Sequence, residues 1–177
     1  MVFTETELQG AFVIDSEVIE DERGFFAHTW SAEEFVTRGL NPRIVECNIS
    51  FNKQRGTLRG MHFQIAPHQE AKLVRCTAGA IYDVIVDLRE ESPTFRQWIA
   101  VELTSSNRLM LYIPERFAHG YQTLEDNTEV AYQMSEYYHP ESARGLRFDD
   151  PVLGIRWPLS VTAISQRDRE HPFIQPL

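Results

Sequence analysis

The sequence predicts an all-β protein, an antiparallel sandwich or barrel with a few short peripheral helices. Three observations predict it. Short apolar or alternating runs recur between turn residues along the chain, which is the pattern of sandwiches and barrels. A single segment carries helix signals. At 177 residues with 42% hydrophobic and 24% charged residues, the chain can bury one sizeable core, so residues 1–177 are read as one domain.

The elements follow in order. Residues 11–15 (AFVID) and 24–29 (GFFAHT) are the first apolar runs, the second opening on a glycine. Residues 31–38 begin with Ser31 and place Glu33 and Glu34 early, the mark of a short capped helix. Strands are then predicted at 43–50, 56–63, 71–77, 80–88, 97–103, 109–113, 119–123 and 128–134. Thr77-Ala78-Gly79-Ala80 reads as a tight hairpin turn. The tail after Pro151 is turn-rich, with a helical turn over 151–153. There is no repeat, linker or low-complexity stretch.

Charge and cysteine content narrow the function. A formal net charge of −9 argues against nucleic acid or an anionic membrane as partner, while leaving room for a small anion held by a local cation cluster. Cys47 and Cys76 have no C-x-x-C spacing and both lie in apolar runs, so they are expected as small buried thiols of a reducing, cytoplasmic compartment. The first residues lack a basic segment followed by a long apolar core, so no signal peptide is expected. No run reaches the ~20 apolar residues of a membrane span.

Alternation along strands places the chemistry. In 71–77, Lys72 shares a face with Val74 and Cys76; in 128–134, Tyr132 lies with Val130 and Met134. An ammonium on an apolar face must meet an anion or a developing negative charge. His62 shares its face with Leu58, Gly60 and Gln64, where glycine leaves room for a ligand. Imidazole titrates near ~6.5 and can take a proton at neutral pH. His62, Lys72, Tyr132 and His119 facing inward would make a polar pocket, and a base beside a cation is the minimum kit for taking a proton next to a carbonyl. Strict alternation sends Arg59 away from His62, so a bulge or strand end must intervene if both touch one ligand. A metal is the rival reading. The i+2 neighbour of His62 is Gln64, a poor ligand; a set of His62, His119 and Glu70 can be imagined, but without paired imidazoles at i and i+2 on one strand face no metal is expected. Asp83, Asp87 and the acidic run 87–91 read as solvated edge or turn charges.

These residues lie in motifs that resemble the dTDP-4-dehydrorhamnose 3,5-epimerase family. The landmarks are Asp21-Glu22-Arg23-Gly24-Phe25-Phe26, Leu58-Arg59-Gly60-Met61-His62-Phe63-Gln64, Lys72-Leu73-Val74-Arg75, Asp87-Leu88-Arg89 with Ser92-Pro93-Thr94, and Ile113-Pro114. Phe117-Ala118-His119-Gly120, Tyr137-Tyr138, Gly154-Ile155-Arg156-Trp157-Pro158 and Ser165-Gln166-Arg167-Asp168 follow in the same order. The resemblance implies a cupin-type jelly roll that uses no metal or cofactor. It implies His62 as general base, Asp168 as the carboxylate that orients and charges it, Lys72 as the cation on the enolate oxygen, and Tyr132 as the acid on the opposite face. Arg23 and Arg59 resemble the diphosphate-holding cations and His119 a substrate-pocket histidine. Asn48 and Arg167 match contact positions, and Phe26 and Tyr138 those that line or stack on the nucleotide. A homodimer is implied too, with the N-terminal segment of about residues 1–30 completing the partner's site, while the tail from about 151 covers the barrel.

The sequence departs from the family at the nucleotide end. His28 stands where a glutamate commonly contacts the nucleotide, Ala143 replaces an acidic contact, and Glu46 replaces a glutamine. The resemblance leaves open epimerisation at C3 and C5 or at one carbon only, and it competes with a non-catalytic sugar-binding jelly roll and a metal-dependent cupin.

Overall fold

The computed structural model of the chain describes residues 1–174. In chain order its elements are β1 (Val2–Glu5), β2 (Phe12–Asp15), β3 (Val18–Asp21), β4 (Gly24–Ala27), α1 (Ala32–Thr37), β5 (Glu46–Asn52), β6 (Leu58–Gln64) and β7 (Lys72–Ala78). They continue with β8 (Ala80–Asp87), β9 (Trp98–Thr104), β10 (Met110–Ile113), β11 (Phe117–Thr123), β12 (Thr128–Met134), β13 (Ala143–Gly145) and α2 (Gln166–Arg169). A six-stranded sheet, β1-β2-β10-β7-β12-β5, faces a five-stranded sheet, β13-β6-β11-β8-β9, and β3 and β4 form a separate hairpin. All the strand ladders described are antiparallel. This is the antiparallel two-sheet architecture the strand pattern predicts and the cupin-type jelly roll the resemblance implies.

Three apolar layers explain the strand patterns. Between the sheets lie Val74, Cys76 and Val130 from one wall with Ile81, Ile85 and Tyr121 from the other. Outside the six-stranded sheet, Phe35 of α1 packs with Ile14, Leu73, Met110 and Tyr112. Outside the five-stranded sheet, Leu153 and the tail's Ile155 and Trp157 cover Met61, Val84 and Val86. Strand β8 is therefore apolar on both faces, and burying each such side chain contributes roughly 1.5–3 kcal/mol. Helix α1 forms where its cap lies: the Ser31 side chain accepts from the Glu34 N–H.

Several expectations change. Strands β1, β3 and β13 and helix α2 join the predicted elements, each short and with little periodicity of its own. The turn at 77–80 closes no hairpin, because β7 and β8 belong to different sheets and Gly79 (φ +75°) turns the chain from one to the other. The turn expected at 151–153 is present as a single turn over 151–154, closed by the Gly154 N–H donating to the Asp150 carbonyl at 2.8 Å. Cys76 is buried, which pushes its thiol up to about 11. Cys47 is exposed, against expectation, because it points outward from β5 at the sheet's edge. Asp83 and Asp87 are fully buried rather than solvated: Asp83 Oδ1 lies 2.7 Å from His119 Nε2, and Asp87 accepts from Arg89 and Ser92.

Candidate active site

A cavity of about 340 Å³ opens between the two sheets. Its lining includes Asn48, Arg59, His62, Lys72, His119, Tyr132, Tyr138 and Arg167. One wall is the five-stranded sheet, where His62 on β6 pairs across the ladder with His119 on β11. The other is the six-stranded sheet, where Met134 pairs with Lys72 and Tyr132 with Val74, putting Lys72 and Tyr132 on one inward face.

The position of Arg59 follows from a bulge. On β11 the step from His119 to Tyr121 is two residues, while their partners on β6, His62 and Arg59, are three apart. The extra residue reverses the alternation, so Arg59 and His62 line the same cavity. Gly60 makes it sterically allowed: it sits at φ +121°, and a Cβ there would meet Gly120 Cα at 2.5 Å.

Behind His62 stands the carboxylate. His62 Nε2 is 2.7 Å from Asp168 Oδ1, and the Gly60 N–H donates to Asp168 Oδ2 at 3.2 Å. The tail reaches this spot because Ser165 caps α2, its hydroxyl accepting from the Asp168 N–H at 3.0 Å. Burial pushes the Asp168 carboxyl up, but the bond to His62, the charge of His62 and the Gly60 N–H outweigh it, and the group is held below the usual carboxylate range. His62 keeps 43% of its side chain exposed whereas Asp168 keeps 6%, so the imidazole is open to the cavity and the carboxylate is enclosed behind it.

A second pair lies beside it: His119 Nε2 is 2.7 Å from the buried Asp83 Oδ1. On the facing wall Lys72 Nζ lies 2.9 Å from Glu70 Oε1, both nearly buried. The inward ammonium has found its anion, and it keeps donors for the cavity because an ammonium carries three N–H bonds. Burial raises the Tyr132 phenol, offset in part by the Arg59 charge and Ser50, so it stays protonated at neutral pH. The Arg59 Nε–H donates to Asn52 Oδ1 at 2.8 Å, and Arg167 donates to the Tyr138 hydroxyl at 3.3 Å.

The three remaining predicted residues are elsewhere. Arg23, Phe26 and His28 lie on or just after the β3–β4 hairpin, outside the cavity lining, with the Arg23 and Phe26 side chains exposed. Sequence reasoning had no role for Gln64, whose amide donates to Glu70 Oε2 at 3.1 Å and to the carbonyls of His68 and Tyr137. The partnership of Glu70 with Lys72 was also missed, although a carboxylate two positions before an inward lysine is a readable signal.

Among the described residues, two side-chain groups could hold a cation, His62 with Asp168 and His171, and His68 with Glu136 and His139, the donor atoms of each lying within 4.8 Å of one another. In the first, 2.7 Å between Nε2 and Oδ1 is a hydrogen-bond distance, shorter than the ~3.4 Å between two ligands at ~2.1 Å on a tetrahedral ion. No described helix is long and apolar enough to cross a membrane.

Comparison with known proteins bears on this site. The family model described as dTDP-4-dehydrorhamnose 3,5-epimerase matches residues 5–175. A protein of that name from Methanothermobacter thermautotrophicus is 46% identical over 170 residues, 94% of this chain and 91% of its own. The crystal structure of the enzyme of that name from Bacillus anthracis, with TDP and PPi bound, superposes with a TM-score of 0.94 at 38% identity, covering 98% and 99% of the two chains. A dTDP-6-deoxy-D-glucose-3,5-epimerase from Legionella pneumophila, in complex with dTDP-4-keto-L-rhamnose, superposes with 0.90 at 37% identity, covering 97% and 92%.

Proposed function

Because the chain belongs to the dTDP-4-dehydrorhamnose 3,5-epimerase family, we propose that it is an isomerase converting dTDP-4-dehydro-6-deoxy-D-glucose to dTDP-4-dehydro-L-rhamnose. The observation that carries this reading is the placement of a carboxylate-backed histidine on one wall of the cavity and a lysine and a protonated tyrosine on the other. A planar enolate between the walls would meet a base on one face and an acid on the other.

The steps balance without an added reagent. His62 takes the proton from C5, alpha to the C4 ketone, and the C–H electron pair moves into the enolate. Lys72 stabilises the charge growing on the C4 oxygen, and Asp168 stabilises the imidazolium that forms. Tyr132 then delivers its proton to C5 from the opposite face, inverting the centre. Solvent reprotonates Tyr132 and takes the proton from His62, and the same cycle runs at C3. Positioned acid–base groups typically contribute ~100- to 10,000-fold each.

Arg59 and Arg167 would hold the diphosphate, where a planar guanidinium suits phosphate oxygens. His119 and Asn48 would contact the substrate and Tyr138 the base. Arg23, Phe26 and His28 fit the reading if the active form is a homodimer in which the β3–β4 hairpin enters the partner's cavity. Support comes from the exposed apolar residues on that hairpin, Ile19 at 68% and Phe26 at 61%, and on the edge strand β5, Ile49 at 67% and Phe51 at 52%. Free cysteines and the sugar-nucleotide substrate fit a cytoplasmic enzyme. Mixing inactive Arg23→Ala and His62→Ala chains would then restore part of the activity; no recovery in a mixed, exchanged sample would refute the shared site.

Solvent deuterium incorporation in D2O tests the reaction. Label at both C3 and C5 with rhamno product is the expected result. Label at one carbon would make the protein a mono-epimerase, and no label would remove the activity on this substrate and direct attention to His28 and Glu46.

A further inference from the structure

His171 stands against the dyad with nothing yet to do. It lies just beyond α2, its side chain nine-tenths buried, and its Nε2 has no hydrogen-bond partner among the described residues. That nitrogen is 3.6 Å from Asp168 Oδ1, the same oxygen that holds His62 at 2.7 Å. The two imidazoles meet edge to face, 5.7 Å between centroids at 79°. Beneath the His171 ring is Gly145, the cross-strand partner of His62 on β13, and no side chain larger than hydrogen would leave room for it. The ring therefore fills a fitted slot over the one carboxylate that the proposed base depends on.

We propose that His171 is a positioning residue of the His62–Asp168 pair: as a neutral ring it seals Asp168 from water and keeps its oxygen on His62, and once protonated it competes for that oxygen and disables the base. This rests on the reading of His62 as the base. The charged groups acting on His171 are Asp168 and Arg167 from α2 and His62 from β6, and Gly145 of β13 lies beneath the ring. Burial lowers the His171 imidazole, the His62 charge lowers it further, Asp168 opposes and Arg167 adds to the lowering. A neutral ring at neutral pH suits the proposed transfer, since an imidazolium forms at His62 within reach of Asp168 and a second cation there would oppose it.

Two variants and one titration test it. In His171→Ala, water reaches Asp168 and kcat falls roughly tenfold with KM within about twofold, since misplacing a reacting group by an ångström can cost ~100-fold. In His171→Phe the slot stays filled, so kcat near neutral pH stays within about threefold of wild type. The acid limb of its kcat profile then drops from a slope near two protons to a slope of one. The NMR titration of the His171 ring needs no turnover: in His62→Ala its midpoint rises by roughly half a pH unit, because a neighbouring cation is gone. Unchanged kcat in His171→Ala, a two-proton limb surviving in His171→Phe, or a His171 midpoint indifferent to His62 would each overturn the proposal. If wild type incorporates no deuterium the reading of the reaction fails, and the ring titration alone still decides whether the two histidines are coupled.

Discussion

Two histidines on neighbouring strands, His62 and His119, each pair with a carboxylate at the same distance in a different setting. His62–Asp168 and His119–Asp83 each close at 2.7 Å. His62 is 43% exposed at the side chain and His119 only 10%. The second oxygen of Asp168 accepts the Gly60 N–H, whereas Asp83 Oδ2 is buried with no partner among the described residues. The contrast teaches that distance does not identify a base. A base must reach its substrate and exchange protons, and its carboxylate must be fixed from behind. His62 meets these requirements, while the enclosure of His119 suits a residue that holds a substrate group in place.

Five substitutions can break or sharpen this contrast. The largest effect is expected for His62→Ala, with kcat reduced roughly 1,000-fold. His119→Ala matching that loss in kcat would erase the distinction. Asp168→Asn should follow at roughly 100-fold, and the double variant with His62→Ala should lose little more than His62→Ala alone. Fully additive losses in free energy would show that the pair does not act as a unit.

A buried carboxylate without a histidine calibrates the structural cost. Burial pushes the Asp87 carboxyl up, but Arg89, Ser92 and Thr94 overcome it and hold the group at about 2. Folding thus lowers it. Its stabilisation is complete above the unfolded value near ~4 and is lost as pH falls toward about 2. Asp87→Asn should cost about 2 kcal/mol at pH 7, roughly 4–8 °C in Tm, with the difference from wild type shrinking in scans taken toward pH 2. The smallest effect is expected for Asp83→Asn: KM up roughly tenfold and kcat within about threefold, in keeping with lost binding rather than lost chemistry. A collapse of kcat in that variant would promote the second pair to the proton-transfer step.

What could be read from the sequence divides along the same physical line. His62, Lys72 and Tyr132 were legible because a period of two marks a polar side chain on an apolar face. Asp168 was reachable only through resemblance, since it stands 106 residues from His62 in a tail whose order comes from packing on the barrel and carries no period of its own. Asp83 and Asp87 were misread because a carboxylate in a strand looks solvated until its partner is known, and those partners, His119, Arg89, Ser92 and Thr94, are set by tertiary contacts or by a turn. The bulge at Gly60 was required by the wish to place Arg59 and His62 together, but its location depended on Gly120 across the ladder, which local sequence does not show.

The distance along the chain between His62 and Asp168 also sets an order of events during synthesis. Every strand lining the cavity leaves the ribosome before Ser165 and Asp168 do, so the barrel can close around a pocket that still lacks Arg167 and has no charge behind its histidine. Competence arrives with the last turn to dock. A chain clipped just before Ser165 would lose the carboxylate behind His62 and the Arg167 guanidinium of the cavity lining together, so that one cut would weaken ligand binding as well as turnover.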